Sequence, residues 1–315
     1  MSVGGCVAGG KVAVTGASGF IGRYLCEDLE AAGFTPLRLG RGVSRGAADR
    51  QTDYSQSSLA RALEGADAVV HLAGRRMTRQ DDPDDIMPFQ GPNVTVIGDL
   101  VAAARQAGVR RIVLASTIAV YGHDTAQPCA ERTRAQPINA YARSKLMAEA
   151  KLGMLTRAGG PSSVALRLAA VYGHGEKATP AMMRFVDQAM LGETIVLNGH
   201  PDARIDQIYV RDATAAILAA LRHPEATGVY NIGGGVAVPL RRIAETVNVI
   251  FGNAGNLIDK TDGAAPKPCC VMSLERAARD LRWAPAYDLQ AGLQDMREVM
   301  LACGAVMEED MACQR

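Results

Sequence analysis

Residues 11–22 read "KVAVTGASGFIG", and the fold turns on how this stretch is read. "KVAVT" is an apolar run of strand length. Gly16, Gly19 and Gly22 follow, and "FIGRYLCEDLEAAG" then carries a helical pattern. Three spaced glycines alone are ordinary turn chemistry. Between a strand and a helix they acquire a mechanism: Gly16 permits the tight turn, Gly19 lets a pyrophosphate approach the backbone, and Gly22 lets the helix pack on the strand. The helix N-terminus then faces the anion. On this reading Gly16, Ser18, Gly19, Phe20, Ile21 and Gly22 form a dinucleotide-binding loop.

The same alternation continues outward. "FTPLRLG" is followed by "SQSSLARALEGA", "DAVVHLAG", "NVTVIGDLVAAARQAG", "VRRIVLAST", a helical pattern around residue 141, and "SSVALRLAAVYG". Near-continuous apolar strands between helices predict an α/β fold, a parallel sheet covered on both faces. Right-handed crossovers make it doubly wound, a Rossmann sheet. Beyond about residue 175 the alternation loosens, with Pro and Gly clusters at 173–180, 199–201 and 263–268. The expected division is a dinucleotide-binding domain at 1–175, with 205–235 packing back on it, and a mainly substrate-binding part at 176–315. The closing stretch "CGAVMEEDMACQR" carries no signal and is expected to fray.

Bulk properties exclude several functions. The 315 residues carry a net charge of +1 and only 4% aromatics, which argues against a nucleic-acid partner or an anionic membrane. Seven cysteines at 6, 26, 129, 269, 270, 303 and 313 show neither a disulfide framework nor a zinc spacing. Reduced thiols and a cytoplasmic location are expected. No apolar run approaches a membrane span.

The end of the second strand chooses the cofactor. An acid there binds a free ribose hydroxyl, whereas a base neutralises a 2′-phosphate. The segment "FTPLRLGRGVSR" has no acid; Gly40 stands at that position, Arg41 follows, and Arg38 and Arg45 are near. NADP is favoured and NAD remains open, since a solvated loop arginine reads the same way. Asp53 is suggestive of a contact to the adenine amino group.

"YARSK" places Tyr141 and Lys145 four residues apart, on one face of a helix. A free phenol titrates near 10, too high for proton transfer at neutral pH. A neighbouring ammonium and an oxidised nicotinamide both favour phenolate. Ser116 and Thr117 end a strand upstream, and the pleat lets only one of them face the site.

With these landmarks, and with "DAVVHLAG", Asn93, "STIAVYG", "NAYARSK", "ALRLAAVYG", "RIDQIYVRDAT", "GVYNIGGG" and "LRWAP" in order, the chain resembles the extended short-chain dehydrogenase/reductase family. The likeness is to its NAD-dependent epimerase/dehydratase branch, over residues 11 to about 298. The resemblance implies Tyr141 as general acid/base, Lys145 as its partner, and Thr117 rather than Ser116 as the substrate-orienting hydroxyl. It adds Leu72, Ala73 and Gly74 to the cofactor residues, gives Arg204 the nucleotide diphosphate, and implies a homodimer.

Departures narrow the activity. The family's dehydratases resemble "STDEVYG", with an acid pair where this chain has Ile118 and Ala119. Ala170 stands where an Asn often holds the diphosphosugar, and Lys267 where a second arginine is common. The charged stretch 75–85 reads as a solvated loop, with a lid as the alternative. Cys129 and Glu131 are open to a role in ring-carbon deprotonation or to none. The expected function is hydride transfer to or from a nucleotide-linked sugar, as 4-keto reduction or C4 epimerisation. Alternatives are a reductase of a non-nucleotide ketone, which Ala170 favours, and a non-catalytic dinucleotide sensor, against which Tyr141 and Lys145 both speak. No metal site is expected.

Overall fold

The computed structural model describes residues 9–42, 46, 48–122, 127–176, 181–198, 200–260 and 269–313. Strand β1 (Lys11–Thr15) lies mid-sheet with Val12, Ala13 and Val14 wholly buried, hence a run without polar alternation. On one side stand β2 (Thr35–Gly40) and β3 (Asp49–Gln51). On the other stand β4 (Ala68–His71), β5 (Arg111–Thr117), β6 (Ser162–Leu168) and, later in the chain, β10 (Gly228–Ile232). The order is β10-β6-β5-β4-β1-β2-β3, and every pairing is parallel. Strand order reverses between β1 and β4, the switch point at which doubly wound sheets bind ligands.

Alternate side chains of β1 enter opposite layers. Val12 and Val14 pack with Leu25 and Leu29 of α1 (Phe20–Ala31) and with Ile217 and Leu221 of the later helix Val210–Arg222. Ala13 packs with Leu59 of α2 (Gln56–Ala62), and the short α3 (Met87–Phe89) leads into α4 (Val96–Gln106), whose Ile97 and Leu100 share that layer. Leu152 of α5 (Ala140–Arg157) completes it. Strand β3 escaped the sequence reading because "DRQ" is polar; it pairs by its backbone with Arg38–Gly40, and Arg50 donates to Ala62 O and Glu64 O.

The remaining elements form the smaller part. A three-stranded sheet runs β11 (Ala237–Pro239), β9 (Arg204–Tyr209), β7 (Ala170–Tyr172), and β8 (Ile195–Asn198) pairs in parallel with β12 (Leu257–Lys260). Helices α6 (Met182–Met190), α8 (Leu240–Ile250) and α10 (Leu289–Cys313) enclose a third core around Phe185, Ile195, Tyr209, Val247 and Leu293. Here α7 is Val210–Arg222 and α9 is Glu275–Asp280. Where fraying was expected, α10 continues to Cys313. Among the described residues no helix is long and apolar enough to cross a membrane.

Candidate active site

The glycine loop is as tight as its reading requires. Gly16 has φ +72°, and a Cβ there would stand 2.9 Å from the nitrogen of Ala73. A Cβ on Gly22 would collide with Gly16 O and stand 2.7 Å from Ala17 Cα, so the helix rests directly on the turn. Gly19 N-caps α1 without any side-chain cap, leaving first-turn amides available to an anion. Thr15 ties the loop to β4: its hydroxyl bonds His71 Nδ1 at 2.9 Å and accepts from Ala73 N at 3.2 Å. Ser18 is exposed at the apex, Phe20 meets Tyr24 edge-on at 5.9 Å, and Ile21 is half-buried. These residues fit a dinucleotide pyrophosphate.

Beside the loop, a crevice of about 780 Å³ is lined by Arg41, Asp53, Tyr54, His71, Ala73 and Gly74, within the size of a small-molecule site. Arg41 is exposed there. Arg38 is engaged by Glu30 at 2.6 Å. Asp53 accepts from Ser55 N and Oγ, which pulls its carboxyl below the usual range. Tyr54, absent from the sequence reading, sits at φ +68°, its phenol pushed up by burial and opposed by the nearby Arg41 charge and the Gly16 backbone. Arg45 and Lys267 fall outside the described residues.

Asn139 N-caps α5 by accepting from Ala142 N at 2.8 Å, which sets Tyr141 in the first turn. The Thr117 side chain lies near enough to the Tyr141 phenol to favour its ionised form. One turn on, Lys145 is 7% exposed and donates to Ala115 O at 2.9 Å. Its neighbour Gly74 must be glycine, since a Cβ would lie 2.9 Å from Asn93 Oδ1 and 3.6 Å from Lys145 Nζ. Asn93 donates to Ser144 Oγ at 2.9 Å, and Ser144 donates to Tyr141 O at 2.7 Å, fixing the helix start. Leu72 N donates to Thr15 O, so residues 72–74 line the same wall.

Ser116, one residue before Thr117, is buried and donates to Glu149 Oε1. The pleat thus turns the two hydroxyls to opposite faces.

Electrostatics revise one expectation. Burial pushes the Tyr141 phenol up, and the opposing influences are the Arg76 charge and the Thr117 side chain. The cation acting on the phenol is therefore Arg76. Burial lowers Lys145 to about 8, with Glu149 raising it and Arg76 lowering it further. Arg76 lies in the stretch read as solvated, most of which is exposed as expected, the Arg76 side chain itself being 57% exposed. Its guanidinium donates to both Glu176 carboxylate oxygens at 3.1 and 2.9 Å. Ala140 N donates to Pro83 O at 2.6 Å, and Arg143 donates to Asp84 O at 2.8 Å. Phe89 meets the Tyr141 ring at 6.2 Å, so the stretch packs on the start of α5. Its charge-rich composition concealed this, because the contacts are made by backbone carbonyls.

Other candidates stand apart. Arg204 is exposed and donates to Ala237 O at 3.1 Å, with Cys269 in electrostatic reach. Cys129 is fully buried, and Glu131 accepts from Asn231 N at 2.9 Å. Among the described residues no three His, Cys, Asp or Glu could hold a metal.

Comparison with known proteins follows this geometry. The family model described as "NAD dependent epimerase/dehydratase family" matches residues 12–233. The Bacillus subtilis (strain 168) protein named Uncharacterized UDP-glucose epimerase YtcB is 27% identical over 303 residues, spanning 90% of this chain and 95% of its own. The crystal structure of UDP-N-acetylglucosamine 4-epimerase from Bacillus cereus superposes with a TM-score of 0.85 at 31% identity, covering 92% of this chain and 96% of that one. MoeE5 in complex with UDP-glucose and NAD superposes at 0.80 with 26% identity, covering 93% and 99%.

Proposed function

The chain belongs to the NAD dependent epimerase/dehydratase family, and from that premise we propose an oxidoreductase that moves hydride from and to the ring of a nucleotide-linked sugar. C4 epimerisation is the reading its relatives support, since a UDP-N-acetylglucosamine 4-epimerase and a UDP-glucose-binding protein share its fold over most of both chains. The observation that carries it is the approach of the Thr117 side chain to the Tyr141 phenol, with Lys145 one turn on against Gly74, beside the glycine loop.

When bound, the dinucleotide supplies the carbon that accepts and returns hydride. The chain's own side chains do the rest. Tyr141 Oη exchanges a proton with the sugar hydroxyl oxygen, and Thr117 orients that oxygen. Arg76 keeps positive charge near the phenol, favouring phenolate when the sugar is oxidised, and Lys145 stands one turn on as its partner. Lys145 would also bond the nicotinamide ribose. No carboxylate follows Thr117; Ile118 and Ala119 stand there, so water elimination lacks its acid and base. Gly16, Ser18, Gly19, Phe20, Ile21, Gly22, Leu72, Ala73 and Gly74 are the cofactor wall, and Arg204 is the diphosphate residue.

NAD is the cofactor that the MoeE5 complex supports. A preference for NADP would rest on Arg41 and would favour single-pass reduction of a 4-keto sugar. Residues 1–175 with 205–235 are mainly the dinucleotide part and 176–315 mainly the substrate part; the place of β10 in the large sheet supports this, whereas β7 and β9 pair outside it. The chain works without nucleic acid or membrane, in the cytoplasm, as a homodimer.

The test is incubation of the purified protein with UDP-glucose and UDP-N-acetylglucosamine, with products resolved by proton NMR. Interconversion of C4 epimers without net cofactor consumption is expected. Stoichiometric NADPH oxidation with a 4-keto sugar would replace the epimerase with the reductase. Inertness toward every nucleotide-linked sugar, with cofactor bound, would overturn both.

A further inference from the structure

Cys129 and Cys270 come from segments 141 positions apart, yet their sulfurs lie 2.8 Å from one another. Cys129 is 0% exposed and Cys270 8%, so the pair sits inside the main core. The backbones that carry them are stitched together. Cys129 N donates to Val271 O at 2.7 Å, and Ser273 N donates to Cys129 O at 2.9 Å. Gln127 Oε1 accepts from Val271 N at 2.7 Å, and Asn231 Nδ2 donates to the carbonyls of both Cys129 and Ser273. A disulfide closes its sulfurs to about 2.05 Å, which leaves roughly 0.8 Å of side-chain travel on two fixed backbones. The mechanism above uses neither thiol.

We infer that Cys129 and Cys270 form a reversible disulfide, an oxidative modification site that locks the segment leading into α5 to the strap at 270–273. The oxidant is a low-molecular-weight disulfide. One protein thiolate attacks it, giving a mixed disulfide and releasing one small thiol. The second protein thiolate attacks the protein sulfur of that mixed disulfide; the Cys129–Cys270 bond forms and the second small thiol leaves. Two electrons pass to the oxidant, and the two thiol protons end on the two released thiols.

The neighbourhood selects this pair over the adjacent Cys269, whose thiol is directed at Cys270 O at 3.4 Å. The lock reaches beyond the two loops. Asp206 on β9 accepts from Met272 N at 3.0 Å and from Gly234 N at 2.9 Å, so the strap, β9 and the turn after β10 are held as one. Burial of both sulfurs makes oxidation slow beside that of the exposed Cys303, which serves as an internal reference.

The experiment treats the full chain with oxidised glutathione, blocks remaining thiols, and maps tryptic peptides without reduction. A cross-link is expected between the peptide containing Cys129 and the one containing Cys269 and Cys270. It should vanish with dithiothreitol, persist in Cys269→Ser, and be missing from Cys129→Ser and Cys270→Ser. The oxidised wild type should melt higher than the reduced, because a long loop is closed. The wild-type link and its reversal are read without any variant, so a poorly folding mutant leaves the test intact. Glutathione adducts alone, or a link that survives Cys270→Ser, would overturn the assignment.

Discussion

Arg167 of β6 and Glu149 of α5 meet beneath the Tyr141 helix as a buried ion pair, nitrogen to oxygen 2.7 Å, their side chains 6% and 4% exposed. The Arg167 guanidinium also lies 4.8 Å over the Tyr121 ring, and Ser116 donates to the Glu149 carboxylate. That carboxylate sits one turn beyond Lys145 and is the group that raises the affinity of the lysine for its proton. A buried pair of this kind is costly to break and modest in net stabilisation, so its position suits electrostatic support of Lys145.

Glu149→Gln should therefore move the alkaline limb of turnover to lower pH. Lys145 loses its charge as pH rises through about 8. Without the Glu149 charge that loss comes earlier, and turnover at pH 8 should fall roughly severalfold, on the scale of tenfold per pKa unit. A pH–rate profile on wild type and variant decides it. An unmoved limb would separate Glu149 from Lys145.

Tyr141→Phe should keep the fold and cofactor affinity while lowering turnover by roughly two or more orders of magnitude, the scale of positioned acid–base groups. Thr117→Val should cost less. Ser116→Ala should spare chemistry and lower stability by about 1–3 kcal/mol, since Glu149 Oε1 loses the Ser116 hydroxyl and keeps only Arg167 Nε as donor. Steady-state kinetics paired with thermal melts tests the set. The hydroxyl assignment is off by one residue if Ser116→Ala proves the more damaging to turnover.

Acid should weaken the fold through His71. Burial, aided by the Lys145 charge, lowers its pKa to about 3, so the folded protein holds it neutral. Between about 6.5 and 3 the unfolded chain binds a proton that the folded one refuses, and stability is lost as pH falls through that window. The full loss is on the order of several kcal/mol at about 1.4 kcal/mol per unit. His71→Asn should flatten the decline of melting temperature between pH 7 and 5. Parallel curves for wild type and variant would assign acid sensitivity to other groups.

Arg41 governs cofactor choice in the reading that favours NADP. Hydrogen bonds to a charged group contribute about 1.5–3 kcal/mol, so Arg41→Ala should weaken NADP(H) roughly ten- to a hundredfold and hardly change NAD(H). Paired titrations on wild type and variant settle it. Equal affinity for both cofactors in the wild type, or NAD retained through purification, would remove the preference.

The sheet was legible because parallel strands buried on both faces must be apolar throughout. "KVAVT", "AVVH" and "RIVLAST" carry that signature, and each forms a strand. The phenol, lysine and hydroxyl were legible because helix and strand periods are fixed. Arg76, Tyr54 and β3 were not. Arg76 comes to the phenol on a stretch held by carbonyl contacts, Tyr54 through a left-handed backbone, and β3 through main-chain pairing. None of those leaves a side-chain pattern. Ile118 and Ala119 shape a short 3₁₀ turn that Thr117 caps by accepting from Ala119 N at 3.2 Å.

The seventh strand reaches the large sheet late. β6 ends at Leu168 and β10 begins at Gly228, with β7, β8 and β9 made in between. During synthesis the nascent chain must hold β6 as an open border until its neighbour leaves the ribosome, and α7, which covers Leu25 and Leu29, arrives only just before. A chain cut at residue 175 would keep the glycine loop and the Tyr141 helix but present unpaired amides and carbonyls along β6, a template for strand addition. The dinucleotide half therefore cannot be borrowed as a stand-alone module by truncation, and a circular permutant would have to keep β10 beside β6 to escape aggregation.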